Sequence, residues 1–169
     1  MLEELKKSNI YAKSLKRSDS IRLIIIKGSV DYDSTEPLSQ FLTPIVQDMK
    51  ESIIVFDMSG INYMSSTAFG MFVKLLKSCK NKNIELYIMN ISPKVLSVFK
   101  LLGFSNFFNF ISSYDDIKHK VEKIENVFPF TGKCEICEKK FKITKPGKFR
   151  CPACRGIFKV NDIGEIWFF

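Results

Sequence analysis

The sequence has little of what enzymes are usually built from. Its single histidine, His119, sits in a lysine-rich stretch beside Lys118, Lys120 and Lys123, so it reads as a solvated surface group. No nucleophile stands with a base next to it, which is what an enzymatic reading requires. Neither of the common glycine-rich phosphate-binding loops is present. Asp31, Asp33 and Asp57 have no spacing that calls for a carboxylate site, and Asp57, closing an apolar run, is expected to accept hydrogen bonds from loop amides. Long apolar runs are also missing. The longest aliphatic one, Leu23 to Ile26, is far short of the roughly 20 residues that a membrane span needs. The first residues, Met1-Leu2-Glu3-Glu4-Leu5-Lys6-Lys7, carry both charge signs and no apolar core of a signal peptide. A non-enzymatic protein of the cytoplasm, not the membrane, is therefore expected.

What is present suits a soluble globular chain. Of its 169 residues, 46% are hydrophobic and 26% charged, with a net charge of +8. That length holds one domain of about 100–130 residues and a small appendage. The most informative stretch runs from Ile53 to Leu76. Ile53 to Met58 is apolar except for Asp57, which suits a strand buried on both faces. A polar turn, Ser59-Gly60, is expected next, and a helical periodicity opens at Ser65-Ser66-Thr67. On that helix Phe69, Phe72, Val73, Leu76 and Cys79 share one face, while Gly70, Lys74, Lys77 and Asn81 share the other. Ser66 projects onto the second face, one turn before Gly70. Hydroxyls at a helix start act as caps, and the same position favours added negative charge. Capping and phosphorylation are compatible there.

The segment Asp57-Met58-Ser59-Gly60-Ile61-Asn62-Tyr63-Met64-Ser65-Ser66-Thr67-Ala68-Phe69-Gly70 resembles the signature of STAS domains, named for sulphate transporters and anti-sigma factor antagonists. The resemblance implies that Ser66 is a phosphoacceptor. It also implies that Ser65, Thr67, Gly70 and Asp31 face a partner protein, an anti-sigma factor with serine kinase activity. Ser65 stands where the family has Asp, and Ala68 where it has Gly. Gly28-Ser29-Val30-Asp31 is similar to the family's G-E-L-D turn, and Ile91 to Phe104 to its fourth strand–helix unit.

Elsewhere in residues 8–124 strands and helices alternate. Ile21 to Lys27 reads as a strand with Asn9 to Leu15 as a weaker partner, and Ser34 to Met49 as a helix with Pro37 tolerable in its first turn. Ile84 to Met89 is the next strand. Ser92-Pro93 opens a helix that Gly103 closes. Phe107 to Ser112 is a last short strand and Tyr114 to Ile124 a terminal helix. Such alternation predicts an α/β fold, here the STAS-like mixed β-sheet with βα units.

Residues 125–132 read as a linker and 133–169 as a small separate domain. Cys134-x2-Cys137 and Cys151-x2-Cys154 are separated by thirteen residues, the spacing of a four-cysteine zinc ribbon. Disulfides do not suit a cytosolic chain, and a redox dithiol needs only one pair. Phe141-Lys142-Ile143 and Pro146-Gly147 are expected to form a hairpin joining the two pairs. Cys79, the fifth cysteine, falls on the apolar helix face and reads as core. From Thr131 onward there are nine Lys and Arg against four Asp and Glu. Four thiolates around Zn²⁺ lower that net charge to about +3. Nucleic acid is thus a possible ribbon partner, ranked below protein contact or simple bracing. The reading expected from all of this is a regulator switched at Ser66. Two alternatives remain open: a ribbon-led adaptor for nucleic acid or protein, and a STAS domain that senses a small ligand.

Overall fold

The structure, a computed structural model, describes residues 4–7 and 9–169. The chain divides into two compact units, one ending at Asp116 and the other spanning Ile117–Phe169.

The first unit is a six-stranded sheet with three helices. β1 (Glu4–Lys7), β2 (Ile10–Lys16) and β3 (Ile21–Val30) form an antiparallel meander. α1 (Tyr32–Asp48) then leads to β4 (Ile53–Met64), α2 (Ser66–Asn81) to β5 (Glu85–Met89), and α3 (Pro93–Leu101) to β6 (Asn109–Ile111). The strands lie in the order β1-β2-β3-β4-β5-β6, parallel from β3 onward. Alternating residues Ile54, Phe56 and Met58 join one core with Ile24, Ile26, Leu42, Ile45, Phe72 and Phe99. Ile53 and Val55, on the opposite side of the same strand, are buried as well. This is the central strand buried on both faces that the apolar run predicts. Edge-to-face ring pairs fix its packing: Phe56 with Phe72 at 5.4 Å, and Phe69 with Phe99 at 4.5 Å.

Several boundaries differ from those read in the sequence. β4 does not end at Met58 in a Ser59-Gly60 turn but continues to Met64. Its partner β3 likewise runs on through Gly28 and Ser29 to Val30, with register shifts between Ile25 and Lys27 and between Gly28 and Ser29. The two glycines serve these bulges. A Cβ on Gly60 would meet the Lys27 side chain at 2.5 Å, and Gly28, at φ +102°, lies against the backbone oxygen of Asn9. β1 was not legible, since Leu5 is its only apolar residue.

α2 buries Ala68, Phe69, Met71, Phe72, Leu75, Leu76 and Cys79. Val73 is only half-buried, so the apolar face is centred a little away from the expected one. Cys79 is core, as its position implies.

The second unit contains α4 (Asp115–Val127) from Ile117 onward, followed by β7 (Phe130–Lys133), β8 (Lys140–Ile143), β9 (Gly147–Arg150), β10 (Ile157–Val160) and β11 (Ile166–Phe168). Residues 125–132, expected as a linker, complete α4 and supply most of β7. The helix stays with this unit because its end is tied in: Val127 lies under Gly164, where a Cβ would meet it at 2.9 Å. The expected hairpin between residues 141 and 147 does not form either. β8 pairs with β7, and β9 pairs with β10, so each Cys-x2-Cys turn is itself the bend of a hairpin.

Candidate functional site

Two places gather the residues that the sequence singles out. The first is the carboxyl edge of the parallel strands. Val30 and Met64 are paired at the ends of β3 and β4, so the next residues, Asp31 and Ser65, follow side by side. Each is a helix cap. Asp31 Oδ1 accepts from the Ser34 N–H at 2.9 Å, and Ser34 Oγ accepts from the Asp31 N–H at 2.9 Å. Ser65 Oγ accepts from the Ala68 N–H at 3.2 Å, while the Ser65 N–H donates to Val30 O at 2.8 Å. Ser92 caps α3 in the same manner. The N-terminal ends of α1 and α2 therefore open onto one edge, where the helix dipoles favour negative charge.

Capping falls to Ser65. Ser66, at the first helical position, is exposed, as are Thr67 and Gly70. A Cβ built on Gly70 meets nothing within 4 Å. Two large aromatics stand out toward solvent beside the caps, Tyr32 at 77% and Tyr63 at 50% exposure. Asp31 is not free to act as a loose surface charge. The Ser34 hydroxyl and N–H, with Asn9 Nδ2, hold its carboxyl below the usual range. Ser29 Oγ donates to Asn62 Oδ1 at 2.7 Å, across the bulged strand ends. Asp57 Oδ1 accepts from the Ser59 N–H, which lies within β4 rather than in the expected loop, and from the Asn90 side-chain amide. Of these supporting residues, Ser34 was legible as the start of a helix. Asn9, Asn62 and Asn90 were not, because they reach the edge only through strand pairing.

The second place is the cysteine cluster. Cys134, Cys137, Cys151 and Cys154 bring their sulfurs within 4.8 Å of one another. Cys134 to Cys154 and Cys137 to Cys151 are each 3.7 Å, far beyond a disulfide bond. A tetrahedral ion with metal–sulfur bonds of about 2.3 Å separates its ligands by ~3.8 Å, so the donor set fits Zn²⁺. The two turns repeat one design. Glu138 N–H donates to Cys134 O and Arg155 N–H to Cys151 O, both at 2.9 Å. Glu138 and Arg155 hold the left-handed conformation at φ 61° and 62°, a backbone that costs a side chain more than glycine. The Cys151 thiol is lowered to about 6, first by the Cys154 N–H and then by that of Ala153. Although the Gly156 N–H lowers Cys154, burial and the three other sulfurs raise it to about 11. A cation at the centre removes that conflict.

Comparison with known proteins divides the chain in a similar way. The STAS domain model matches residues 12–117, well over half of the sequence. The chain belongs to the STAS family. Residues 131–169 match a domain of unknown function, DUF8512. The anti-sigma-B factor antagonist of Staphylococcus aureus (strain NCTC 8325 / PS 47) is 32% identical over 85 residues, covering 50% of this chain and 78% of that protein. A probable sulfate permease of Schizosaccharomyces pombe is 27% identical over 73 residues, 43% of this chain and 10% of its own length. The fold is that of solved antagonists. An anti-sigma factor antagonist from Mycobacterium paratuberculosis aligns at TM-score 0.59 and 17% identity, over 70% of this chain and 99% of that one. Unphosphorylated SpoIIAA aligns at TM-score 0.57 and 14% identity, over 66% and 96%. The STAS unit is thus a mixed α/β domain as expected. Among the described residues no helix is long and apolar enough to cross a membrane.

Proposed function

We propose that this STAS protein is a non-enzymatic cytoplasmic regulator whose first unit binds an anti-sigma factor with serine kinase activity and is switched by phosphorylation of Ser66. One observation carries the reading: an exposed serine at the first position of α2, with open space over Gly70 and exposed Tyr32 and Tyr63 beside the neighbouring caps. The identity to a staphylococcal anti-sigma-B factor antagonist supports it. Tyrosines at an interface supply large, stiff contact area, and a residue without a side chain lets a partner's backbone come close. A phosphate on Ser66 gains from the free N–H groups of the first turn in the isolated protein. On docking it must be desolvated or paired, so the same charge that suits the free helix opposes the complex.

In this reading Ser65, in the place of the family Asp, provides the cap and no local carboxylate. Asp31 keeps the edge rigid and presents its remaining charge to the partner. The second unit is a zinc ribbon in which Cys134, Cys137, Cys151 and Cys154 hold Zn²⁺ as a structural ion. Unbonded thiols so close together suit a reducing compartment.

Intact-mass analysis of the protein recovered from its own cells tests the switch. A single added phosphate, mapped to Ser66 and lost in Ser66→Ala, is expected. Ser66→Asp should reduce co-purification of the partner several-fold, since one charge copies a phosphate only in part. Absence of any phosphoform across growth conditions, with the partner retained, sinks the switch and leaves a constitutive binder.

A further inference from the structure

Because β8 and β9 belong to different sheets, Lys140 and Lys142 are separated from the cations of the three-stranded sheet, which has a basic face of its own. Phe149, Phe158 and Phe168 stand in register across β9, β10 and β11, and Phe141 of β8 packs on Phe158 at 4.9 Å. That face of the three-stranded sheet is the unit's aromatic core. Strand alternation throws the intervening residues to the other face. There Lys148, Lys159 and Trp167 form one row across the three strands. Arg150 and Ile157 begin the next, which Phe169 completes by donating its N–H to Ile157 O at 2.9 Å. Trp167 is 45% and Phe169 75% exposed. The Lys148 ammonium lies 5.7 Å over the Phe169 ring. The three strands themselves hold no acidic residue; Glu165, just before β11, accepts from Asn161 Nδ2 at 2.7 Å.

We propose that this outer face binds single-stranded nucleic acid, with Trp167 and Phe169 as stacking platforms and Lys148, Arg150 and Lys159 as backbone contacts. The core is already filled by the alternate phenylalanines, so packing does not require two more large rings outside it. Trp167 and Phe169 lie two residues apart, about 7 Å along the sheet edge, room for one base each. Three cations spread over one sheet face match a polyphosphate chain. An acidic protein segment would satisfy the cations but give the rings nothing flat to stack on. A duplex would offer phosphates while keeping its base faces covered. This inference concerns the second unit and does not depend on the Ser66 reading.

Trp167 is the only tryptophan in the chain, so its emission reports directly on this face. The test titrates the full-length protein with oligo-dT and oligo-U of twelve nucleotides at physiological salt, following tryptophan quenching and anisotropy of a labelled strand. Saturable quenching is expected with a dissociation constant on the order of 10 µM, and a log–log salt slope of about −2 for three cations on a single strand. Trp167→Ala should weaken the anisotropy-measured affinity roughly tenfold, while Trp167→Phe keeps most of it. Lys148→Glu with Lys159→Glu should abolish binding, and Lys140→Glu with Lys142→Glu, on the other sheet, should not. The proposal is overturned by absence of binding at 100 µM strand, by a duplex binding as well as a single strand with no effect of Trp167→Ala, or by polyglutamate quenching Trp167 more tightly than either oligonucleotide. The conservative Trp167→Phe variant guards against misfolding: equal loss in both variants, with unchanged melting, also overturns it.

Discussion

The two units solve the problem of holding together in opposite ways. The STAS unit buries a continuous aliphatic and phenylalanine core between a six-stranded sheet and its helices. Its polar edge is therefore relieved of structural duty apart from capping, and side chains such as Ser66, Tyr32 and Tyr63 can be left exposed. The strands β8 to β11 of the second unit are only three or four residues long, and their main apolar contact is a set of tilted phenylalanines around Phe158. Segments so short cannot pair stably without a further tie. In the proposed reading a metal held by the four sulfurs at the bends of two hairpins supplies it. One unit would then be folded by area, the other by a point.

The sharpest way to break this comparison is to remove the tie. The purified protein should contain one zinc per chain, and Cys151→Ser should lose it. Structural zinc contributes on the order of 10 kcal/mol in ribbon-sized peptides, far more than such a core supplies. Chelation should then unfold strands β7 to β11, seen as loss of amide protection there. The STAS unit's melting should stay largely as it was, since its core cluster draws only on residues before Asp116. Zinc near zero in the purified protein, with the ribbon still protected, would remove the metal from the account.

The converse experiment attacks area. Phe72 is fully buried and meets Phe56 edge to face. Phe72→Ala should destabilise the STAS unit by about 3–5 kcal/mol, the usual cost of emptying an aromatic site. Thermal unfolding followed by near-ultraviolet signals should show the loss, while zinc content stays at one per chain. If metal is lost with it, the two units are not separate in stability and the contrast between them fails.

How much of this was readable beforehand follows the same division. Local chemistry was legible. Ser92 with Pro93 and Gly103, and the two Cys-x2-Cys pairs, declare a helix and a sulfur cluster through neighbours in sequence, whereas the cap of α1 lies at Asp31, three residues before the Ser34 from which that helix was read. What depends on a distant strand was not. Ser59-Gly60 has turn composition, yet it lies within a strand because β3 extends far enough to pair with it, through a bulge. Pro146-Gly147 has turn composition too, but the flanking strands pair elsewhere because the cysteine turns reverse the chain first. The candidate edge shows both cases at once. Ser66, exposed at the start of α2, was singled out from its local motif. Its neighbours Asn9 and Asn62 arrive through pairing between strands, which no local window contains. In the second unit the exposed Trp167–Phe169 face is hidden for that reason as well, because only register tells which aromatics are core.

The smallest expected effect probes the exposed face of α2, where the proposed binding would meet the helix's own stability. Gly70 lies inside the helix, with no atom within 4 Å of where a Cβ would stand. Replacing it with alanine costs no clash and removes the conformational freedom that makes glycine poor in a helix. Gly70→Ala should therefore stabilise the unit by about 0.5–1 kcal/mol. A denaturation midpoint shifted upward at constant slope would register it. Stability alone gives no reason for glycine at this place. A partner whose surface comes within contact distance of α2 does, because the added methyl group then blocks the approach. The same variant should accordingly recover less partner from lysate despite being more stable, an opposition that a purely structural role cannot produce. A stabilised Gly70→Ala protein that binds its partner unchanged would move the interface away from this face of α2, toward Tyr32 and Tyr63.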